Sequence, residues 1–248
     1  MNKFLILFCV EIAKLKRSQA LVMTLLCPFA VILLQLLVVI EGNGDFITKR
    51  GWNMYWMSVV SLWYSFMLPL YIALITGLLT SLEHKNHGWR LMATLPISRV
   101  QLYIAKTLLA WALMAIGSLW LYLLTGLSIG LLLLLGYQGG DILHWSFVSQ
   151  LCPVLLAALP IVVIGMTVSW LIPSMVPALV LGVSMTMAAM SVSRSPDYWM
   201  FDPWTYPMVA TMVKGVAVHE LAIALGAVVG GILLLAGCWY CTRRPIHS

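Results

Sequence analysis

Residues 82–106 read LEHKNHGWRLMATLPISRVQLYIAK. This short basic stretch lies between two long apolar runs, and its placement decides how the chain is read. The surrounding sequence is 62% hydrophobic and only 9% charged over 248 residues, against roughly 25% charged in an ordinary soluble domain. A soluble fold of this length has too little interior to hide that much apolar surface. Lipid is the solvent the composition calls for, and the chain reads as an all-α integral membrane protein.

A bilayer core about 30 Å thick needs about 20 apolar residues per helix. Six runs qualify: Ala20–Ile40, Met54–Thr80, Leu102–Leu135, Phe147–Leu171, Val176–Val192 and Leu221–Cys241. The third is long enough to tilt or to extend past the lipid. The fourth and fifth are separated only by LIPSMVP, where Pro173 and Pro177 suit a tight turn. Six spans place both termini on one side. With the N-terminus cytoplasmic, the inner segments hold Lys3, Lys14, Lys16, Arg17, Lys85, Arg90, Arg99, Lys106, Arg243 and Arg244. The outer ones hold only Lys49, Arg50, Arg194 and Lys214. This bias sets both termini of a multi-pass membrane protein in the cytoplasm, and the resemblance given below implies that the membrane is a bacterial cytoplasmic (inner) one. The net charge of +6 is thus a topology signal, and it does not point to nucleic acid. Glu11 and Glu83 are the two acids left on the inner side.

Residues 1–17, MNKFLILFCVEIAKLKR, lack a small-residue cleavage site and are interrupted by Glu11. They read as an amphipathic helix lying in the cytoplasmic interface, or as a charged lead-in to the first span. Residues 82–96 have a similar character. At 100° per residue Glu83, His87, Arg90 and Thr94 form one stripe, opposite Leu82, Trp89, Leu91, Met92 and Leu95. Pro96 ends that helix, Ser98 is placed to cap the next span, and Lys106 marks its cytoplasmic rim. Such a helix either lies on lipid or docks a soluble partner.

The apolar runs carry almost no ionisable residues, which weakens an ion-driven carrier. A membrane enzyme is equally short of acids, bases and metal ligands. His84 and His87 are the best-spaced pair and lack further ligands, so no metal site is expected. The five cysteines lie in apolar or interfacial runs, and the Cys238/Cys241 pair has no second pair to complete a metal set. No GxxxxGK[ST] loop occurs in the sequence. Active transport by this chain therefore needs energy from another subunit.

The pattern E-x-x-x-x-G-W-R-L-x-x-x-L-P-I-S-R-x-x-x-x-x-x-K, here Glu83, Gly88, Trp89, Arg90, Leu91, Leu95, Pro96, Ile97, Ser98, Arg99 and Lys106, resembles the loop between the second and third spans of ABC-2 type permeases. It is most similar to the lantibiotic immunity and bacitracin resistance exporters. The resemblance implies one transmembrane domain over residues 1–248, with six transmembrane helices and an N-terminal interfacial helix. It also implies a cytoplasmic coupling helix over 82–96 between spans 2 and 3, resting in a groove of an ATPase subunit. Glu83, His87, Gly88, Trp89, Arg90, Leu95, Pro96 and Arg99 are then the ATPase-coupling residues. DPWTYP at 202–207 resembles a Pro-Trp-x-x-Pro stretch of the same branch, within an outer re-entrant or interfacial segment over 193–220. Its Tyr198, Trp199, Phe201, Trp204 and Tyr206 are candidates for the substrate path or outer gate, or for an interfacial anchor. The expected partners are ABC ATPase subunits, which would bind ATP and Mg, a second permease chain (the same or related), the lipid bilayer and a peptide substrate. No cofactor and no nucleic acid are expected in this chain, which is not itself an enzyme. The implied activity is ATP-driven export of an amphipathic antimicrobial peptide for self-protection. The alternatives are export of a lipid, glycan or small drug, or a membrane structural or sensory subunit that transports nothing.

Overall fold

A computed structural model describes residues 3–16, 18–42, 44–85, 98–137, 139, 151–195, 197–211 and 216–243. Among them every regular element is helical. In chain order these are α1 (Lys3–Leu15), α2 (Gln19–Glu41), α3 (Asp45–Leu62), a π-helical turn (Trp63–Met67), α4 (Leu68–Lys85) and α5 (Arg99–Leu134). They continue as α6 (Leu151–Ala157), α7 (Leu159–Leu171), α8 (Val176–Val192), a 3₁₀ turn (Tyr198–Phe201), α9 (Thr205–Thr211) and α10 (Val216–Arg243).

Local chemistry sets several boundaries. Ser18 caps α2 by accepting from the Ala20 N–H at 3.1 Å. Ser98 caps α5 in a capping box: its hydroxyl accepts from the Gln101 N–H while the Gln101 side chain accepts from the Ser98 N–H, both at 3.2 Å. The expected cap is therefore present. Gly44 opens α3 with φ 76°, and the Tyr137 ring lies where a Cβ would sit. Gly51 (φ 80°, ψ 174°) then breaks α3, a conformation that excludes most side chains. The break turns the polar first turns, with Asp45, Lys49 and Arg50, into the apolar span beyond.

Further along that span, Pro69 offers no N–H, and its ring crowds the carbonyl of Ser65. The wider π-helical turn at Trp63–Met67 absorbs the mismatch. The same residue type divides the fourth apolar run. Within its described part, α6 and α7 meet at Ala158 with a bend of 43°, and Pro160 stands at the start of α7. Residues 172–175 turn the chain as expected, and Pro177 occupies the first turn of α8, where no N–H is needed.

Among the described residues four helices are long and apolar enough to cross a bilayer: Gln19–Glu41, Asp45–Ser81, Arg99–Leu134 and Ala217–Arg243. The bent α6–α7 pair makes a fifth if it crosses as one unit, and the 17-residue α8 is shorter. Six spans require both to cross. α5, with 36 residues, is about 54 Å long at 1.5 Å per residue and outruns the hydrocarbon. The second span is the centre of the bundle. It is 61% buried, against 28% for α2 and 22% for α10, whose Leu25, Leu33, Leu37, Val228, Ile232 and Leu235 face outward.

In lipid the apolar effect does not hold helices together, so close backbone approach must. A Cβ on Gly182 of α8 would lie 2.6 Å from the Ala73 Cβ of α4, and one on Gly77 2.9 Å from the Met175 Cβ. The tightest crossing joins α10 to the α6–α7 bend. There a Cβ on Gly226 would meet the Ala157 Cα at 2.4 Å and its carbonyl oxygen at 2.8 Å. Backbone cannot swing aside as a side chain can. Gly226→Ala is therefore expected to destabilise the bundle by about 1–3 kcal/mol, read as a lower melting temperature in detergent. An unchanged melting temperature would mean the two helices can separate freely.

Candidate energy-coupling site

The end of the bundle where α1, the start of α5 and the last turns of α4 meet contains a buried ion pair. α1 packs on α5 through Leu7, which clusters with Leu102 and Ala105 and is flanked by Phe4, Phe8 and Trp170. Leu7, Glu11 and Leu15 are spaced by four, so they share one face of α1, and all three are buried. Glu11 is consequently carried into the protein. Its Oε2 accepts from Lys106 Nζ of α5 at 2.7 Å, and its Oε1 accepts from Lys14 Nζ at 2.5 Å. Lys106 Nζ also donates to the Leu79 carbonyl of α4 at 2.9 Å. The Glu11 and Lys106 side chains are each 1% exposed, whereas Lys14 reaches solvent.

Burying a charge is tolerable only when it is paired and hydrogen-bonded, and this pair meets both conditions. Burial raises the Glu11 pKa. The charge and hydrogen bond of Lys106, with those of Lys14, outweigh that effect and hold the carboxyl below its ordinary value of 4.5. Lys106 is thus more than a rim residue. It fastens α1 to α5 and to the last turns of α4.

From this latch a ladder of polar contacts rises between the second span and α5. Tyr71 Oη donates to the Leu113 carbonyl at 3.0 Å and contacts Thr24 of α2 at 2.8 Å. Trp63 Nε1 donates to Ser118 at 3.2 Å, Tyr64 reaches Tyr122 at 3.5 Å, and Tyr55 pairs with Ser128 at 3.0 Å. The Ser128 hydroxyl donates to the Thr125 carbonyl at 2.7 Å, so Tyr55 donates to Ser128. Trp56 stacks on Tyr122 with centroids 5.5 Å apart. Numbers rise on one helix as they fall on the other, which is an antiparallel pair joined along much of its length. The connection that closes this pair is residues 86–97.

Most of the expected coupling residues fall there. His87, Gly88, Trp89, Arg90, Leu95 and Pro96 lie outside the described residues. Glu83 lies in the last turn of α4, with its side chain outside the description. Arg99 is the first residue of α5 and is half-buried. What the structure supplies is the frame: both ends of the segment are attached to the latched pair.

The aromatics between Tyr198 and Tyr206 separate into two groups. Tyr198 and Phe201 are 71% and 84% exposed, whereas Trp199, Trp204 and Tyr206 are buried. The DPWTY turn fixes the buried three. Asp202 Oδ1 accepts from the Trp204 N–H at 2.9 Å, Thr205 Oγ1 donates to the Trp199 carbonyl at 2.6 Å, and Tyr206 Oη donates to the Met200 carbonyl at 2.7 Å. Burial raises the Asp202 pKa against the opposing Trp204 hydrogen bond. α9, buried from Thr205 to Ala210, packs against α10, α6 and the π-helical turn. Among the described residues no group of three or more His, Cys, Asp or Glu converges, and all five cysteines are free thiols.

The long apolar helices define a multi-pass α-helical membrane protein, with a buried Glu11–Lys106 ion pair at one end of the bundle. Residues 7–189 match the profile of the family described as "ABC-2 family transporter protein". The chain belongs to that family, and membership implies an ABC ATPase as partner. The match runs from α1 through most of α8 and stops before the aromatic segment and α10. A search of curated proteins gave no match.

Proposed function

We propose that this chain is the permease subunit of an ATP-driven exporter in a bacterial cytoplasmic membrane. In this reading the bent α6–α7 pair and α8 both cross the membrane, which makes six spans with cytoplasmic termini. Residues 82–96 form a coupling helix that docks an ATPase. A second permease chain, identical or related, completes the transport path. The cargo is an amphipathic antimicrobial peptide of lantibiotic or bacitracin type, removed from the membrane for self-protection.

The observation that carries this reading is the Glu11–Lys106–Leu79 latch. Its Leu79 carbonyl stands about one turn before residues 82–96, and the latch ties that segment's two flanking helices to α1. A push on residues 82–96 then moves α1, α4 and α5 together. ATP can drive such a change only by favouring one of two states of the assembly. The cargo is supported by the residue-level likeness at 83–106 and 202–207, and by an apolar bundle that an amphipathic peptide can enter from lipid.

The test is purification of this chain with its ATPase, followed by ATP hydrolysis measurements in liposomes with bacitracin, a lantibiotic or lipid added. Association with the ATPase and stimulation by peptide support the reading. Stimulation by lipid alone replaces the cargo with lipid. No association would leave a structural or sensory membrane subunit.

A further inference from the structure

Within the first span, one amide side chain sits at hydrocarbon depth with its hydrogen bonding unfinished. Gln35 lies on α2 well before the last residue, Glu41, about 9 Å below that end at 1.5 Å per residue. On the helical wheel it falls in the middle of the stripe that α2 buries, among Pro28, Val31, Ile32 and Val39. Gln35 itself is only partly buried. It reaches Ser58 of the second span. The Ser58 hydroxyl lies 3.4 Å from Gln35 Oε1 and donates to the Tyr55 carbonyl at 2.7 Å. A hydroxyl has one proton, and the shorter bond holds it. The Gln35 oxygen is thus weakly engaged, and among the described residues its amide nitrogen has no partner. Lipid tails offer an amide nothing to bond.

The packing leaves one side of this contact open. The Gln35–Ser58 and Thr24–Tyr71 contacts make α2 and the second span antiparallel. At 100° per residue Leu34 and Val38 fall to one side of Gln35. Met54 and Ser61 fall to that same side of the pair, measured from Ser58. All four are exposed. On the other side Ile32 and Tyr55 are buried, and Tyr55 is joined to Ser128 of α5. The bundle therefore fills one side of the seam and leaves a groove on the other, with apolar walls and a polar floor.

We propose that this groove is the interface with a second copy of the chain. A glutamine amide carries both a donor and an acceptor, so it is self-complementary. Two copies inserted the same way are related by a two-fold axis along the membrane normal, which brings both Gln35 side chains to one depth, where they bond each other reciprocally. A permanent partner fits better than cargo, because a passing peptide leaves the amide unpaired between visits. This inference rests on the reading of two permease chains above and names where the second one sits.

The experiment places single cysteines in the full chain, with its five native cysteines replaced, in liposomes under copper–phenanthroline oxidation. Gln35→Cys and Val38→Cys are expected to give a disulfide-linked dimer as the main product. Leu25→Cys and Ile232→Cys, exposed elsewhere on α2 and α10, should give little. Gln35→Leu keeps the bulk and removes the amide. It is expected to raise the protein-to-lipid ratio at half-dimerisation, read by single-dye photobleaching, roughly 3–30-fold, the effect of one or two lost interhelical bonds. Diluted to monomers, it should melt like the unaltered chain, since Ser58 keeps its bond to Tyr55. A lower melting temperature there would make Gln35 part of the monomer's own packing and overturn the interface. If the chain is dimeric but crosslinks only through position 25 or 232, or if Gln35→Leu dimerises normally, the interface is wrong and the reading of two permease chains stands. A chain that stays monomeric at every ratio, with and without the ATPase, would remove pairing with an identical chain and the interface with it.

Discussion

Lys106→Ala is expected to destabilise the protein by about 3–5 kcal/mol, because it leaves the Glu11 carboxylate buried without its partner. Both side chains are 1% exposed, so solvent cannot take over the lost interaction. Lys14, bound to the other carboxylate oxygen, recovers only part of it. The double variant Glu11→Leu/Lys106→Met removes both charges and should restore much of the stability, since apolar replacements for buried ion pairs are often neutral or better. Restored stability is not expected to restore export, because the double variant no longer joins α1 to the Leu79 carbonyl. Thermal unfolding and peptide efflux measured on both variants separate the two effects. Equal losses of stability in the single and double variants would show that the pair is not the source of the cost.

The pH dependence has a definite sign. The Glu11 pKa is lowered in the folded protein. Its contribution is therefore fully present above the ordinary carboxylate value of 4.5 and is lost as pH falls through the lowered one. Acid unfolding should accordingly be shallower in the double variant than in the natural chain.

The second large effect belongs to residues 82–96. Charge reversal, Glu83→Lys or Arg90→Glu, is expected to leave insertion intact and to lower peptide export per ATP by an order of magnitude or more. The effect follows from the segment's place in the fold. If it bears on an ATPase, reversing a charge on its polar stripe turns attraction into repulsion at the point where force enters. If it only lies on lipid, Arg90→Glu weakens a headgroup contact and leaves coupling alone. Insertion is checked by carbonate extraction, and coupling by efflux and hydrolysis measured in the same vesicles. Normal coupling in both variants would move the energy entry point elsewhere.

The sequence made much of the fold legible where runs were long. The first three spans and the last are apolar for 20 residues or more, and Ser98 sits at a recognisable cap. The fourth run was not legible in the same way. Hydropathy sees Pro160 within an apolar stretch and carries no record of backbone direction, so the bend at Ala158 is invisible to it. The aromatic segment had the right composition for either gate or anchor. The DPWTY turn, with its Asp202 and Thr205 bonds, decides that Trp199, Trp204 and Tyr206 point inward while Tyr198 and Phe201 point out.

The latch was the hardest feature to read. Glu11 and Lys106 are 95 positions apart, and no local pattern pairs them. One signal was present: Glu11 lies four residues from both Leu7 and Leu15, on the face that the helix buries. A lone acid on such a face requires a cation from elsewhere in the fold. The polar ladder is similar in kind. Tyr55, Tyr64 and Tyr71 lie in an apolar run, and only the antiparallel packing of α5 supplies Ser128, Tyr122 and the Leu113 carbonyl.

The central claim is that force from an ATPase enters at residues 82–96 and reaches the spans through the latched α4–α5 pair. Its most direct test is a photo-crosslinker placed at position 89 through Trp89→Cys, in a chain whose five native cysteines have been replaced, with the ATPase bound in liposomes. The account predicts a crosslink to the ATPase whose yield changes when ATP is added. Crosslinking to lipid alone, with or without ATP, would contradict it.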